Sequence, residues 1–96
     1  MDLRDLKYFL AVAQAGNTRR AAELVFRSQP TLTKAIDRLE ASLDAKLFER
    51  DGRGQRLSAA GQALVAHAQP LLHNAEAVRK VVQALGRGTA GLVRLG

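Results

Sequence analysis

The chain has 96 residues, is 47% hydrophobic, contains no cysteine and carries a formal net charge of +6. These figures allow one small domain with an appendage; they exclude a disordered tail, a disulfide scaffold and thiolate metal sites. No apolar run approaches the roughly 20 residues of a membrane span. The opening "MDLRDLKYFL" lacks the charged head and cleavage site of a signal peptide, so a cytoplasmic location is expected. The basic balance, with pI near 10.8, points to a polyanionic partner. Tyr8, Phe9, Phe26 and Phe48 are scattered, which argues against the aromatic platforms that stack single strands.

Asp2 caps a first predicted helix, in which Leu3, Leu6, Leu10 and Ala13 form a buried stripe widened by Phe9. Gly16 ends it, because glycine tolerates the left-handed conformation found at helix ends. Asn17 caps a second helix, with Ala21, Ala22 and Val25 inward. Arg27 and Ser28 form a short break. Ser28 then caps a third helix, and Pro30 is tolerated in its first turn. Leu32, Ile36, Leu39 and Leu43 make the buried stripe of that helix. Pro30, Thr33, Lys34, Asp37 and Ala41, with Arg38 at the edge, make a face without apolar bulk.

In "AKLFERDGRGQRLS", Leu47 and Phe48 start one short strand, Leu57 ends another, and "DGRG" turns between them. Arg50, Arg53 and Arg56 make this hairpin basic. Three helices and a two-stranded hairpin compose a winged helix-turn-helix, in a mainly α fold. Ser58 caps a long fourth helix. Its residues Leu64, Ala68, Leu71, Ala75, Val78, Val82 and Leu85 are spaced alternately four and three apart. That heptad seam, about 40 Å long at 1.5 Å per residue, calls for a partner helix. Pro70 should kink it by removing the bond to Ala66. "GRGTAG" reads as a hinge and "LVRLG" as the start of a strand. The expected division is residues 1–58 for the winged helix-turn-helix, 59–86 for a linker and dimerisation helix, and 87–96 for a hinge and the beginning of a further domain.

A helix-turn-helix places the N-terminal end of its second helix at the major-groove base edges. Gln29 can bond adenine bidentately, and Pro30 and the Thr33 methyl can touch a thymine methyl. The Thr31 and Thr33 hydroxyls can reach phosphate or base, and Lys34 guanine or phosphate. Arg19 and Arg20 oppose the dipole of the helix they start, which suggests a grip on the DNA backbone. Arg53, between Gly52 and Gly54, suits a narrow minor groove. Asp37 either accepts from cytosine N4 or pairs with Lys34 or Arg38, and the ion pair is favoured. Glu40 and Glu49 are expected to anchor neighbouring arginines. His67 and His73 diverge by about 120° around their helix, too far apart to share a metal. No nucleophile or phosphate loop stands in a recognisable motif, so an enzyme is not expected.

The segments "AVAQAGN", "AAE", "SQPTLTKAI", "LE", "LFER" and "LSAAG" stand in the order and spacing of the N-terminal domain of LysR-type bacterial transcriptional regulators, and nearly all of residues 1 to 65 resemble it. The resemblance implies a third helix in the major groove, a wing on the backbone or minor groove, and a linker helix that pairs two chains. It also implies an effector-binding domain of periplasmic-binding-protein type that "GLVRLG" begins. Any small-molecule effector is expected in that missing C-terminal domain, and no cofactor is expected in this chain. Carried over by position, Gln29, Pro30, Thr33 and Lys34 are the recognition residues, with Arg53 on the wing. Five positions depart from the usual pattern. Thr18 replaces a common phenylalanine, Arg27 a common aliphatic residue and Asp44 the usual glycine, while Ala35 and Asp37 stand where polar or basic residues are frequent.

The expected function is sequence-specific binding of double-stranded DNA as a homodimeric regulator on an inverted repeat, with a tetramer open to the full-length protein. The rival is an architectural protein that binds DNA without sequence preference. The expected DNA contacts are Thr18, Arg19, Arg20, Gln29, Pro30, Thr31, Thr33, Lys34, Arg38 and Arg53. The expected dimer contacts are the seven residues of the seam.

Overall fold

A computed structural model describes residues 1–88. Its elements follow in the order α1 (Leu3–Ala15), α2 (Thr18–Val25), α3 (Gln29–Leu43), β1 (Phe48–Asp51), β2 (Gly54–Leu57) and α4 (Ala59–Gly86). This is a mainly helical winged helix-turn-helix with a long fourth helix. The strand expected in "LVRLG" and most of the segment 87–96 expected as a hinge and the beginning of a further domain lie outside the described residues.

Each boundary has a local cause. The side chains of Asp2, Asn17, Ser28 and Ser58 accept from backbone amides of the first turns of α1, α2, α3 and α4, taking up donors that have no partner within a helix. Gly16 ends α1 at φ 89°. Asp44 ends α3 at φ 51°, ψ 47°, so an aspartate does take the left-handed position expected of it.

The helix α1 packs against α2, α3 and α4. One apolar cluster joins Leu6, Phe9, Leu10, Leu39, Leu47 and Ala68; a second joins Val12, Ala21, Ala22, Leu32 and Ile36. Phe48 packs against both, and its ring lies 5.6 Å from that of Phe9 in a tilted arrangement. The expected stripes need correction. On α1, Leu3 is exposed and Ala13 half-buried, while Val12 is buried and so is a charged residue, Asp5. On α3, Leu43 is exposed. Ala35, at a position where the resemblance makes polar or basic residues frequent, is fully buried. At 140° around the helix from Pro30 it falls on the core side.

The hairpin is antiparallel, with Phe48 opposite Leu57, Glu49 opposite Arg56, Arg50 opposite Gln55 and Asp51 opposite Gly54. Gly52 supplies the positive φ of the turn, at 63°. Glu40 ties α3 to the hairpin's approach: its carboxylate accepts from the Leu47 amide at 2.8 Å and lies 3.7 Å from Lys46 Nζ. It therefore anchors a lysine and a backbone amide rather than the expected arginine. Glu49 does pair with Arg56, at 3.2 Å across the strands.

The α4 helix continues through Pro70. Its first half lies on its own domain: Ala68 is buried in the core, with Leu64, Val65 and Leu72 packed beside it. Its second half projects, with Val78, Val81, Val82 and Leu85 exposed; Leu71, before them, is exposed as well. The molecule is accordingly 62 Å long and only 25 × 19 Å across. The heptad seam thus divides in two. Ala68, expected at a dimer interface, is buried in the core cluster of its own chain.

Candidate nucleic-acid interface

The turn between α2 and α3 is Phe26, Arg27 and Ser28. Phe26 takes the left-handed conformation at φ 56°, ψ 47°, and the Arg27 amide donates to Ala22 O at 3.0 Å. Arg27, which replaces a common aliphatic residue, is anchored by its own chemistry. Its Nε donates to the Tyr8 hydroxyl at 3.1 Å and one of its Nη donates to Phe26 O at 3.1 Å. Ser28 Oγ accepts from the Thr31 amide and lies 2.8 Å from the Thr31 hydroxyl. Thr31, expected to reach phosphate or base, is half-buried with its hydroxyl engaged in the cap.

The cap aims the first turns of α3 outward. Gln29, Pro30, Thr33, Lys34 and Asp37 border one shallow, exposed surface. Beside it a cleft of about 390 Å³ separates α2 from the wing, lined by Asn17, Thr18, Arg19 and Gln29 on one side and Arg50, Arg53 and Gln55 on the other. The structure therefore brings together the N-terminal end of α3, the start of α2 and the wing. Arg20 is exposed next to its own capped amide, outside the cleft lining. Thr18 is half-buried and also borders a second hollow of about 290 Å³ with Thr33, Ile36, Phe48 and Gln55.

Arg50 is a cleft residue that the sequence reading credited only with making the hairpin basic. Its signal was strand alternation. Arg50 shares a face with Phe48 and stands opposite Gln55, whereas Arg56 is on the other face and is taken by Glu49.

The ion pair expected of Asp37 does not form: Asp37 has no salt-bridge partner among the described residues. Arg38 pairs instead with Asp5 of α1, Nη2 to Oδ1 at 2.8 Å and Nε to Oδ2 at 3.0 Å. This two-point pairing raises the Arg38 guanidinium above its ordinary value, helped by the charge of Asp2. His67 and His73 are both exposed on α4. No described helix is long and apolar enough to cross a membrane.

Comparison with known proteins agrees with this arrangement. A family model for the lysR family of bacterial regulatory helix-turn-helix proteins matches residues 3–62. The chain is 44% identical over 95 residues to the HTH-type transcriptional regulator TfdT of Cupriavidus pinatubonensis (strain JMP 134 / LMG 1197), covering 99% of this chain and 42% of that protein. It is 43% identical over 95 residues to the HTH-type transcriptional regulator ClcR of Pseudomonas putida, covering 99% and 32% respectively. It thus spans less than half the length of either relative. The crystal structure of the CbnR_DBD–DNA complex superposes with a TM-score of 0.82 at 42% identity, covering 91% of this chain and 100% of that one. The BenM_DBD/catB site 1 DNA complex does so with a TM-score of 0.83 at 31% identity, covering 92% and 98%. The chain belongs to the LysR family of bacterial regulatory helix-turn-helix proteins.

Proposed function

We propose that this chain binds double-stranded DNA sequence-specifically, as the DNA-reading part of a dimeric transcriptional regulator in the cytoplasm. The observation that carries the reading is the exposed first two turns of α3 set beside an arginine-lined cleft. A helix fits the major groove, where each base pair has its own pattern of donors and acceptors. Gln29, Pro30, Thr33 and Lys34 lie at the end that reaches the bases. Arg19, Arg50 and Arg53 lie where a phosphate backbone or a narrow minor groove passes. Asp37, without an ion-pair partner among the described residues, is free to accept from cytosine N4. The likeness to DNA complexes of CbnR and BenM supports this docking.

The role is recognition rather than catalysis. Pairing of two chains through the exposed second half of α4 would set two reading helices on an inverted repeat. Response to a small-molecule effector belongs, in this reading, to sequence beyond these residues.

Gln29→Ala tests the proposal. Ser28 supplies the cap and alanine is a good helix former, so the helix persists. On a duplex enriched from a randomised pool by the unaltered chain, affinity should fall by about 1–3 kcal/mol. On a scrambled duplex at the same salt concentration it should barely change. Equal loss on both, read by fluorescence anisotropy, would make this helix end a backbone clamp and favour the architectural rival.

A further inference from the structure

We propose that Asp5 is a positioning residue for DNA binding: from its buried place in the first turn of α1 it holds Arg38 at the edge of the α3 reading face, with the outer edge of the guanidinium presented to a DNA phosphate. The inference rests on the DNA-binding reading above.

Among the described residues, Asp5 is the buried charged side chain, 4% exposed. Burying a carboxylate is unfavourable unless it is paired, and an apolar pair of similar volume usually serves stability as well or better. Stability alone therefore gives little reason for a carboxylate at this position. The geometry of its partner gives a better one. Both Asp5 oxygens are taken by Arg38, through Nε and Nη2. The Arg38 side chain is nevertheless 59% exposed, and its Nη1 has no hydrogen-bond partner among the described residues. A long side chain that would otherwise sample many rotamers is held by two bonds, with its remaining donors outward.

Those donors lie at a useful place. At 100° per residue Arg38 is about 40° around α3 from Lys34 and about 80° from Pro30. It borders the exposed face on the side of α1, whereas the cleft arginines lie toward α2 and the wing. A helix about 10–12 Å across nearly fills a major groove about 12 Å wide. The centre of its outer face meets bases and its flanks meet the phosphates of the groove walls. The planar fork of arginine matches a phosphate, and an arginine already ordered in the free protein loses less freedom on binding.

The test uses Asp5→Asn in the full chain, with a duplex enriched from a randomised pool by the unaltered protein. The substitution raises the formal charge from +6 to +7, so long-range attraction alone would tighten binding. Positioning through Arg38 requires the opposite sign, a weakening of about two- to tenfold, the usual scale for ordering one long side chain. That weakening should vanish in an Arg38→Gln background. Arg38→Gln itself should flatten the log–log salt slope by about 0.9 per bound chain. Thermal melting of every variant, followed by circular dichroism, keeps the titrations well below unfolding. Should Asp5→Asn not fold, Arg38→Lys keeps the charge but loses the fork, and should bind the same duplex several-fold more weakly. The inference is overturned by tighter or unchanged binding of Asp5→Asn, by an equal loss with and without Arg38, by an unchanged salt slope for Arg38→Gln, or by full affinity of Arg38→Lys. If the unaltered chain binds no duplex at all, the DNA-binding reading fails first; if it binds and the variants misbehave, only the role of Asp5 fails.

Discussion

Phe26 holds a left-handed backbone while the residue is 86% exposed. An aromatic side chain at positive φ is strained by roughly 1 kcal/mol, and almost no burial offsets it here. Asparagine adopts the same conformation more readily. Phe26→Asn should therefore raise stability by about 0.5–1 kcal/mol, seen as a higher midpoint in urea with an unchanged slope. A fall in the midpoint would mean that the ring is held by something the exposed position hides. Asp44 shows the same backbone geometry with a better suited residue. Thr31 shows how one hydroxyl is drawn into a local cap before it can serve a partner, since Ser28 is only three residues away.

The wing and the start of α4 form one unit. Ser58 donates its hydroxyl to Lys46 O at 2.6 Å, the Ser58 amide donates to Leu47 O at 2.9 Å, and the Gly61 amide donates to Ser58 Oγ at 3.0 Å. The helix therefore begins against the chain that enters β1, and Gly61 is the point of contact. A Cβ there would come within 2.1 Å of Leu47 O and 2.9 Å of Leu57 Cδ2. In an exposed helix, Gly→Ala stabilises by up to about 1 kcal/mol. At Gly61 the sign should reverse. Gly61→Ala is expected to destabilise by about 2–4 kcal/mol, because the obstacle is backbone that cannot rotate away. Thermal denaturation would decide it, and a variant as stable as the parent would mean that the wing yields easily. The "LSAAG" segment thus has a packing reason that neither periodicity nor turn chemistry exposes.

At the scale of the molecule, the half of α4 that projects carries uncovered apolar residues, with Val78, Val81, Val82 and Leu85 exposed. Replacing Val78 and Val82 together with aspartate changes nothing packed within one chain, and aspartate and valine have similar helix propensities. In a paired ridge the same change would bury two charges, at several kcal/mol. The expected result is a monomer by light scattering with an unaltered helical circular dichroism spectrum. A dimer that survives would move the interface elsewhere, and the exposed valines would then need another explanation.

The helices, their caps, the turn of the wing and the exposed face of α3 were all legible in the sequence. Each rests on chemistry within a few residues: a side-chain oxygen beside a free amide, a glycine where φ is positive, or an apolar spacing of three or four. The contacts that only the tertiary structure decided are long-range. Asp5 and Arg38 lie 33 positions apart. Arg27 reaches back 19 to Tyr8. The division of the α4 seam at Ala68 depends on where α1 lies. A heptad pattern records that a stripe is apolar, but not whether its cover comes from its own chain or another. An acidic residue next to an arginine in sequence suggests the local pair, as it did for Asp37. The stronger partner was the carboxylate that burial left without water, and burial is a property of the assembled fold.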